Sequence, residues 1–115
     1  IVDDQASIIT TLKFLVMNAG YDALTATSGE IALKMVVEQM PELVLLDVMM
    51  PRINGWEVCR RIKTSPDTRH IPVFMVTSLH GDADSSEARD SGADEFLVKP
   101  IKTDDLIKVI QKLLS

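Results

Sequence analysis

A short apolar run that ends in a carboxylate, Leu43-Val44-Leu45-Leu46-Asp47, limits the folds open to this chain. An uninterrupted apolar run bounded by turn signals is typical of a central strand that a parallel sheet buries on both faces. In open α/β sheets, functional sites lie where strands end in loops, so Asp47 is a candidate functional residue. The alternative is an Asp that merely starts a turn.

Strand and helix patterns alternate along the rest of the chain. Apolar residues at helical spacing predict helices over 5–19, 28–40, from about 56 to 64, and 103–114. Shorter apolar segments predict strands at 1–2, 21–26, 43–47, 71–76 and 95–98. This alternation predicts one α/β domain over residues 1–115, a parallel sheet with helices on both faces. We expect the first strand to be truncated at its N-terminal side.

Several residues indicate where the helices begin and end. Gly20 is predicted to end the first helix in a left-handed conformation, and Pro41 to stop the second. Ser28 and Thr103 are predicted to cap the second and last helices. Asn54-Gly55 reads as a turn before the third helix.

Composition excludes several classes of protein. Hydrophobic residues make up 46% of the chain, which argues against disorder, and no apolar run approaches the ~20 residues that cross a bilayer. No signal peptide opens the chain, so a cytoplasmic location is the default expectation. A single cysteine, Cys59, excludes an internal disulfide framework. The net charge of -5 argues against direct nucleic-acid binding.

Polar residues follow the predicted strands at one edge of the sheet. They are Asp3, Asp4, Asp47, Thr77 and Lys99. Three carboxylates in one pocket repel each other unless a cation is present, and oxygen ligands without His or Cys suit Mg²⁺. The lysine ammonium and the threonine hydroxyl can neutralise and hydrogen-bond a phosphoryl group that is transferred to a carboxylate. The pattern therefore predicts phosphoryl transfer to Asp47.

These motifs resemble the receiver domain of bacterial two-component response regulators over essentially the whole chain. The matching segments are Val2-Asp3-Asp4, Leu45-Leu46-Asp47-Val48-Met49-Met50-Pro51, Asn54-Gly55, Val76-Thr77-Ser78, Gly92-Ala93 and Lys99-Pro100. The resemblance implies a flavodoxin-like (βα)5 fold, doubly wound, with strand order 2-1-3-4-5.

The resemblance also implies a role for each site residue. Asp47 would accept a phosphoryl group from a phosphohistidine on a sensor histidine kinase or phosphotransfer protein. Mg²⁺ would bind Asp4, Asp47 and the main-chain carbonyl of Met49, with Asp3 acting through water. Thr77 and Lys99 would hold the phosphoryl oxygens.

Two further residues have implied roles in switching and in the shape of the site. Phe96 would turn inward as Thr77 moves, by steric packing alone because it lacks the hydroxyl of Tyr. A cis peptide before Pro100 would aim Lys99 into the site. The domain would be no enzyme beyond its own phosphorylation and slow dephosphorylation. Dephosphorylation is expected to be slow because Met49 and Leu79 would present apolar side chains to an attacking water.

Other functions remain open from the sequence. A hydrolase with an aspartyl-phosphate intermediate usually needs an Asp two residues after the nucleophile, where this chain has Met49. A phosphorylation-independent pseudo-receiver would have lost a pocket residue, and none is lost. The stretch 64–70 resembles a variant seen in receivers attached to cyclases and kinases and in free-standing receivers, so it does not identify an output. A further alternative is the receiver part of a larger hybrid kinase or cyclase. The output domain or target protein is not identified.

The polar segment 82–91 departs from the family pattern. A docked helix needs an apolar stripe, and this segment offers only Ala83 and Ala88. We expect a short, shifted or mobile fourth helix. Phosphorylation or a partner would then order the surface between it and the predicted fifth helix, 103–114.

Overall fold

The architecture alternates helices and parallel strands in a computed structural model that describes residues 1–50, 52–77, 90–98 and 101–114. Its strands are β1 (Val44–Asp47), β2 (Val73–Thr77) and β3 (Glu95–Val98). Its helices with described bounds are α1 (Ala6–Asn18), α2 (Gly29–Gln39), α3 (Gly55–Thr64) and a C-terminal helix (Thr103–Leu114). Asp90 and Ser91 are also helical, but the rest of the predicted fourth helix lies outside the described residues.

The three strands form a parallel sheet in the order β1-β2-β3. The parallel sheet is as predicted, and β1 and β2 begin one and two residues later than expected. Pro72 has no N–H to donate to a ladder, and its carbonyl instead accepts from the Val44 N–H at 3.0 Å.

The predicted first and second strands are single bridges in this structure. Val2 makes isolated parallel bridges with Ala26 and with Leu46. Ile1 also takes part in this pairing: its carbonyl accepts from the Ala26 N–H at 3.0 Å and its ammonium donates to the Leu24 carbonyl at 2.9 Å. The five-strand order therefore stays a prediction.

Helices cover both faces of the sheet, as the alternation predicts. On one face, α2 and α3 bury residues such as Val36 and Ile62 against Leu46 and Met75. On the other face, α1 and the C-terminal helix bury a second cluster. It comprises Leu12, Val16, Leu45, Phe74, Leu97, Leu106 and Ile110. Neighbouring strand residues point to opposite faces, so both faces of β1 are buried.

The predicted helix ends are confirmed in two places and corrected in two. Gly20, at φ 95°, ends α1: its N–H donates to the Met17 carbonyl at 3.0 Å and the next N–H to the Val16 carbonyl at 3.2 Å. The Ser28 hydroxyl accepts from the Ile31 N–H at 3.3 Å.

The capping position of the C-terminal helix was predicted one residue too late. Thr103 is the first helical residue, and the Lys102 carbonyl already accepts from the Leu106 N–H at 3.0 Å. Asn54 is also more than a turn residue. Its side-chain oxygen accepts from the Glu57 N–H at 3.0 Å, so it caps α3, which begins at Gly55.

Candidate functional site

Asp47 ends β1 and is anchored by backbone hydrogen bonds. Its N–H donates to the Val2 carbonyl at 3.0 Å, and the next N–H, of Val48, donates to the Val76 carbonyl at 3.1 Å. Its carboxylate accepts from the Met49 N–H at 3.4 Å, and only 4% of the residue is exposed. The sheet thus holds this nearly buried carboxylate at its carboxyl edge.

The structure brings together the three carboxylates that the sequence places at this edge. Oxygen atoms of Asp3, Asp4 and Asp47 all lie within 4.8 Å of one another. The bridge between Val2 and Leu46 causes this, because it sets the end of the first segment beside the end of β1. Asp3 is buried and accepts from the Gln5 N–H at 2.9 Å, whereas Asp4 is exposed.

The donor set of this cluster fits a hard divalent cation. Carboxylate oxygens without nitrogen or sulfur ligands are the chemistry that Mg²⁺ prefers. One exposed and two buried carboxylates leave the site open on the solvent side, where waters and a phosphoryl group could complete the coordination. The same negative charge density would be unfavourable without a cation.

Thr77 lies at the same edge, on the neighbouring strand. It is the last residue of β2, is fully buried and pairs with Val98 of β3. Lys99 and Pro100 follow Val98 directly, but they lie outside the described residues, as does Leu79. The predicted lysine contact, the cis peptide and the apolar wall at Leu79 therefore stay predictions.

The loop after Asp47 is held against the strand end by Gly55. The Gly55 N–H donates to the Val48 carbonyl at 2.9 Å. A Cβ at this position would lie 2.2 Å from the Asp47 carbonyl oxygen, so α3 approaches the strand too closely for any side chain. Within the loop the Met49 side chain is 63% exposed, and the role of its carbonyl stays a prediction. The sequence predicts Gly55 only as part of a turn, and its spacing from Asp47 is the signal that could have indicated this contact.

Phe96, the predicted switch residue, packs against Trp56. The ring centroids lie 6.1 Å apart with the planes tilted by 55°. Trp56 lies in the first turn of α3 and is buried. Its contact with Phe96 was not foreseen because the two residues are far apart in the chain and belong to different elements.

Cys59, on α3, is a buried thiol that stays protonated at neutral pH. Its Sγ donates to the Ser91 carbonyl at 3.4 Å, and burial raises the pKa of Cys59 to about 11. A thiol that stays protonated at neutral pH is a poor nucleophile and metal ligand. The carboxylate cluster is therefore the candidate reactive centre.

Comparison with known proteins identifies similar chains. A family model for the response regulator receiver domain matches residues 1–111. Response regulator PleD of Caulobacter vibrioides is 43% identical over 101 residues, which are 88% of this chain and 22% of that protein. Transcriptional regulatory protein AfsQ1 of Streptomyces coelicolor is 40% identical over 102 residues, 89% of this chain and 44% of that protein. The chain thus spans less than half the length of these relatives.

Solved structures share the fold. The signal receiver domain of a signal transduction histidine kinase from Syntrophus aciditrophicus has a TM-score of 0.92 at 33% identity, covering 98% of this chain and 86% of that one. Chemotaxis protein CheY4 of Vibrio cholerae has a TM-score of 0.90 at 29% identity, with 98% and 94% covered. In the part of the chain that the structure describes, none of the helices has the length and apolarity needed to cross a bilayer.

Proposed function

The chain belongs to the response regulator receiver domain family, and from this premise we propose that Asp47 is its phosphoacceptor. The observation that carries the proposal is the gathering of three carboxylates within 4.8 Å at the end of β1. Asp47 ends the buried central strand and is itself nearly buried, so its carboxylate is held in place before the donor arrives. Such fixed positioning supplies most of the catalysis in phosphoryl transfer.

In the proposed reaction, a carboxylate oxygen of Asp47 attacks the phosphorus of a phosphohistidine. The N–P bond breaks and its electron pair returns to the imidazole. Asp4, Asp47 and the Met49 carbonyl would hold Mg²⁺, with Asp3 acting through water, and the cation would neutralise the charge that develops on the phosphoryl oxygens. Thr77 and Lys99 would donate hydrogen bonds to the same oxygens.

The donor would be a sensor histidine kinase or a phosphotransfer protein. Transfer to Asp47 would be followed by movement of Thr77 and Phe96 and a change of the surface formed by residues 82–91 and the C-terminal helix. The two bridges of Val2 support the full strand order 2-1-3-4-5, because they set the first segment between Ala26 and β1. We assign no output domain, since the relatives' output regions lie beyond the part this chain matches.

Labelling with a small phosphodonor tests the proposal. Acetyl phosphate with Mg²⁺ should add one phosphoryl group to the chain by intact-mass spectrometry, and EDTA should prevent it. Asp47→Ala should abolish labelling, whereas Asp67→Ala, which removes an exposed carboxylate from the loop after α3, should not. Full labelling of Asp47→Ala would refute the assignment. No labelling of the unaltered chain would favour the phosphorylation-independent module, and rapid turnover of acetyl phosphate would favour a hydrolase.

A further inference from the structure

Trp56 makes an aromatic contact that connects α3 to the proposed switch residue. Trp56 is 6% exposed, and its ring lies 6.1 Å from that of Phe96 at a tilt of 55°. Tilted pairs within about 4.5–7 Å attract each other beyond the effect of buried area. Phe96 is half-buried and packs against the core cluster that contains Trp56.

One side of this pair is tied to the phosphoacceptor strand through α3. Trp56 directly follows Gly55, whose N–H donates to the Val48 carbonyl at 2.9 Å. The lack of room for a Cβ between Gly55 and the Asp47 carbonyl makes this a close backbone contact. A displacement of the strand end at Asp47 would therefore push on the first turn of α3 and on the indole.

The other side of the pair is tied to Thr77 through the sheet. Phe96 pairs with Met75 in the register of β2 and β3, and Thr77 pairs with Val98 two residues further along. Phe has no hydrogen-bonding group in its side chain, so only packing sets the position of the ring. Two series of contacts therefore connect Asp47 with the Phe96 ring. One passes through β2, and the other passes through α3 and Trp56.

We propose that Trp56 is a positioning residue for Phe96: the indole holds the phenyl ring in the unphosphorylated domain and makes its movement depend on the first turn of α3. This inference rests on the proposed function, because it assumes that phosphorylation of Asp47 moves Phe96. A ligand or modification can shift a conformational equilibrium only through interactions whose free energy differs between the two states, and the contact between Trp56 and Phe96 would be one of them.

Fluorescence tests the inference, since Trp56 is the single tryptophan of the chain. Its emission is recorded with and without acetyl phosphate and Mg²⁺ in the unaltered chain, Phe96→Leu, Phe96→Tyr and Phe14→Leu. Phe14 is the matched control because it is 64% exposed on α1, which packs on the other face of the sheet. We expect acetyl phosphate to change the emission of the unaltered chain and of Phe14→Leu. Phe96→Leu should shift the basal emission and lose the response, and Phe96→Tyr, which keeps the ring, should retain it.

Variants of Trp56 separate positioning from stability alone. Amide exchange of the 95–98 segment is compared before and after labelling in Trp56→Leu and Trp56→Phe. Trp56→Leu should still accept one phosphoryl group but lose the labelling-dependent change in exchange, and Trp56→Phe should restore it.

The outcomes distinguish the two proposals. Absence of labelling in the unaltered chain would reject the proposed function. If labelling is normal, either of two results would overturn the role of Trp56. One is an emission response that persists in Phe96→Leu, and the other is an exchange response that persists in Trp56→Leu. Far-ultraviolet circular dichroism checks that each variant folds, and the conservative variants carry the test if a Leu variant does not.

Discussion

Replacing Gly55 with Ala should damage both the fold and the site, because the new methyl group has no space. It would lie 2.2 Å from the Asp47 carbonyl oxygen, 2.8 Å from the Val48 Cα and 2.9 Å from the Asp47 carbonyl carbon. Ordinary contacts between carbon atoms are about 3.5–4.0 Å. All three neighbours are backbone atoms, so no side chain can rotate away, and α3 must move by about an ångström to reach that contact distance.

The magnitude follows from the terms that change. Overpacking costs about 1–3 kcal/mol, and weakening the bond from the Gly55 N–H to the Val48 carbonyl adds about 1 kcal/mol. Reduced freedom of the unfolded chain returns about 0.4–1 kcal/mol. The net loss is therefore about 1–3.6 kcal/mol. With an unfolding entropy of about 2.1 cal/mol/K per residue over 115 residues, the melting temperature should fall by about 4–15 °C.

Gly20→Ala is the matched control. Gly20 has φ 95°, but nothing lies within 4 Å of a Cβ there, so the change introduces left-handed strain without a clash. That strain costs about 1–2 kcal/mol before the gain in the unfolded chain, and it lies far from the carboxylates in sequence and at the end of α1. Calorimetry should show the smaller loss, and labelling by acetyl phosphate should keep its rate. In Gly55→Ala the labelling should slow. Equal melting temperatures for the two variants, with equal labelling rates, would refute the close contact between α3 and Asp47.

Four further outcomes are expected. Mg²⁺ should raise the melting temperature, because at a hundred times its Kd it adds about 2.7 kcal/mol to the free energy of unfolding. Asp4→Asn should stabilise the metal-free domain and weaken the effect of Mg²⁺. Equal Mg²⁺ effects on the two proteins by calorimetry would exclude Asp4 as a ligand. Asp94→Ala should lower the free energy of unfolding, measured with urea, by about 1–3 kcal/mol. The Asp94 carboxylate accepts from the Lys63 Nζ and from the Val73 N–H, both at 2.8 Å. An unchanged urea midpoint would contradict this prediction. Cys59 should resist alkylation at pH 8 in the folded domain. Because its pKa is raised to about 11, the protonated thiol should stabilise the fold fully below about pH 8.5, and this stabilisation should be lost as the pH rises through 11. A Cys59→Ala variant whose stability depends on pH in the same way would contradict this. Self-dephosphorylation should be slow, because the exposed Met49 side chain neither orients nor activates water. Met49→Asn introduces a polar side chain and should change the rate. An unchanged phosphoryl lifetime in this variant would show that Met49 does not flank the path of the attacking water.

The sequence determined the class of fold and the place of the site. The apolar run before Asp47 requires burial on both faces, and helices alternating with strands supply that burial only in a parallel α/β arrangement. The carboxyl ends of parallel strands meet at one edge, so the sequence places Asp3, Asp4 and Asp47 at that edge, and the pairing of Val2 with Leu46 brings them together. Local signals were equally informative where they act within a few residues, as at Gly20 and Ser28.

Only the tertiary structure decided the contacts between elements distant in the chain. The two first strands shrink to single bridges because pairing depends on the partner segments available, not on the β propensity of each. The close approach of Gly55 to the Asp47 carbonyl and the packing of Trp56 on Phe96 depend on how far α3 stands from the sheet. That distance is set by the summed packing of many side chains, and no spacing of residue types along a single segment encodes it.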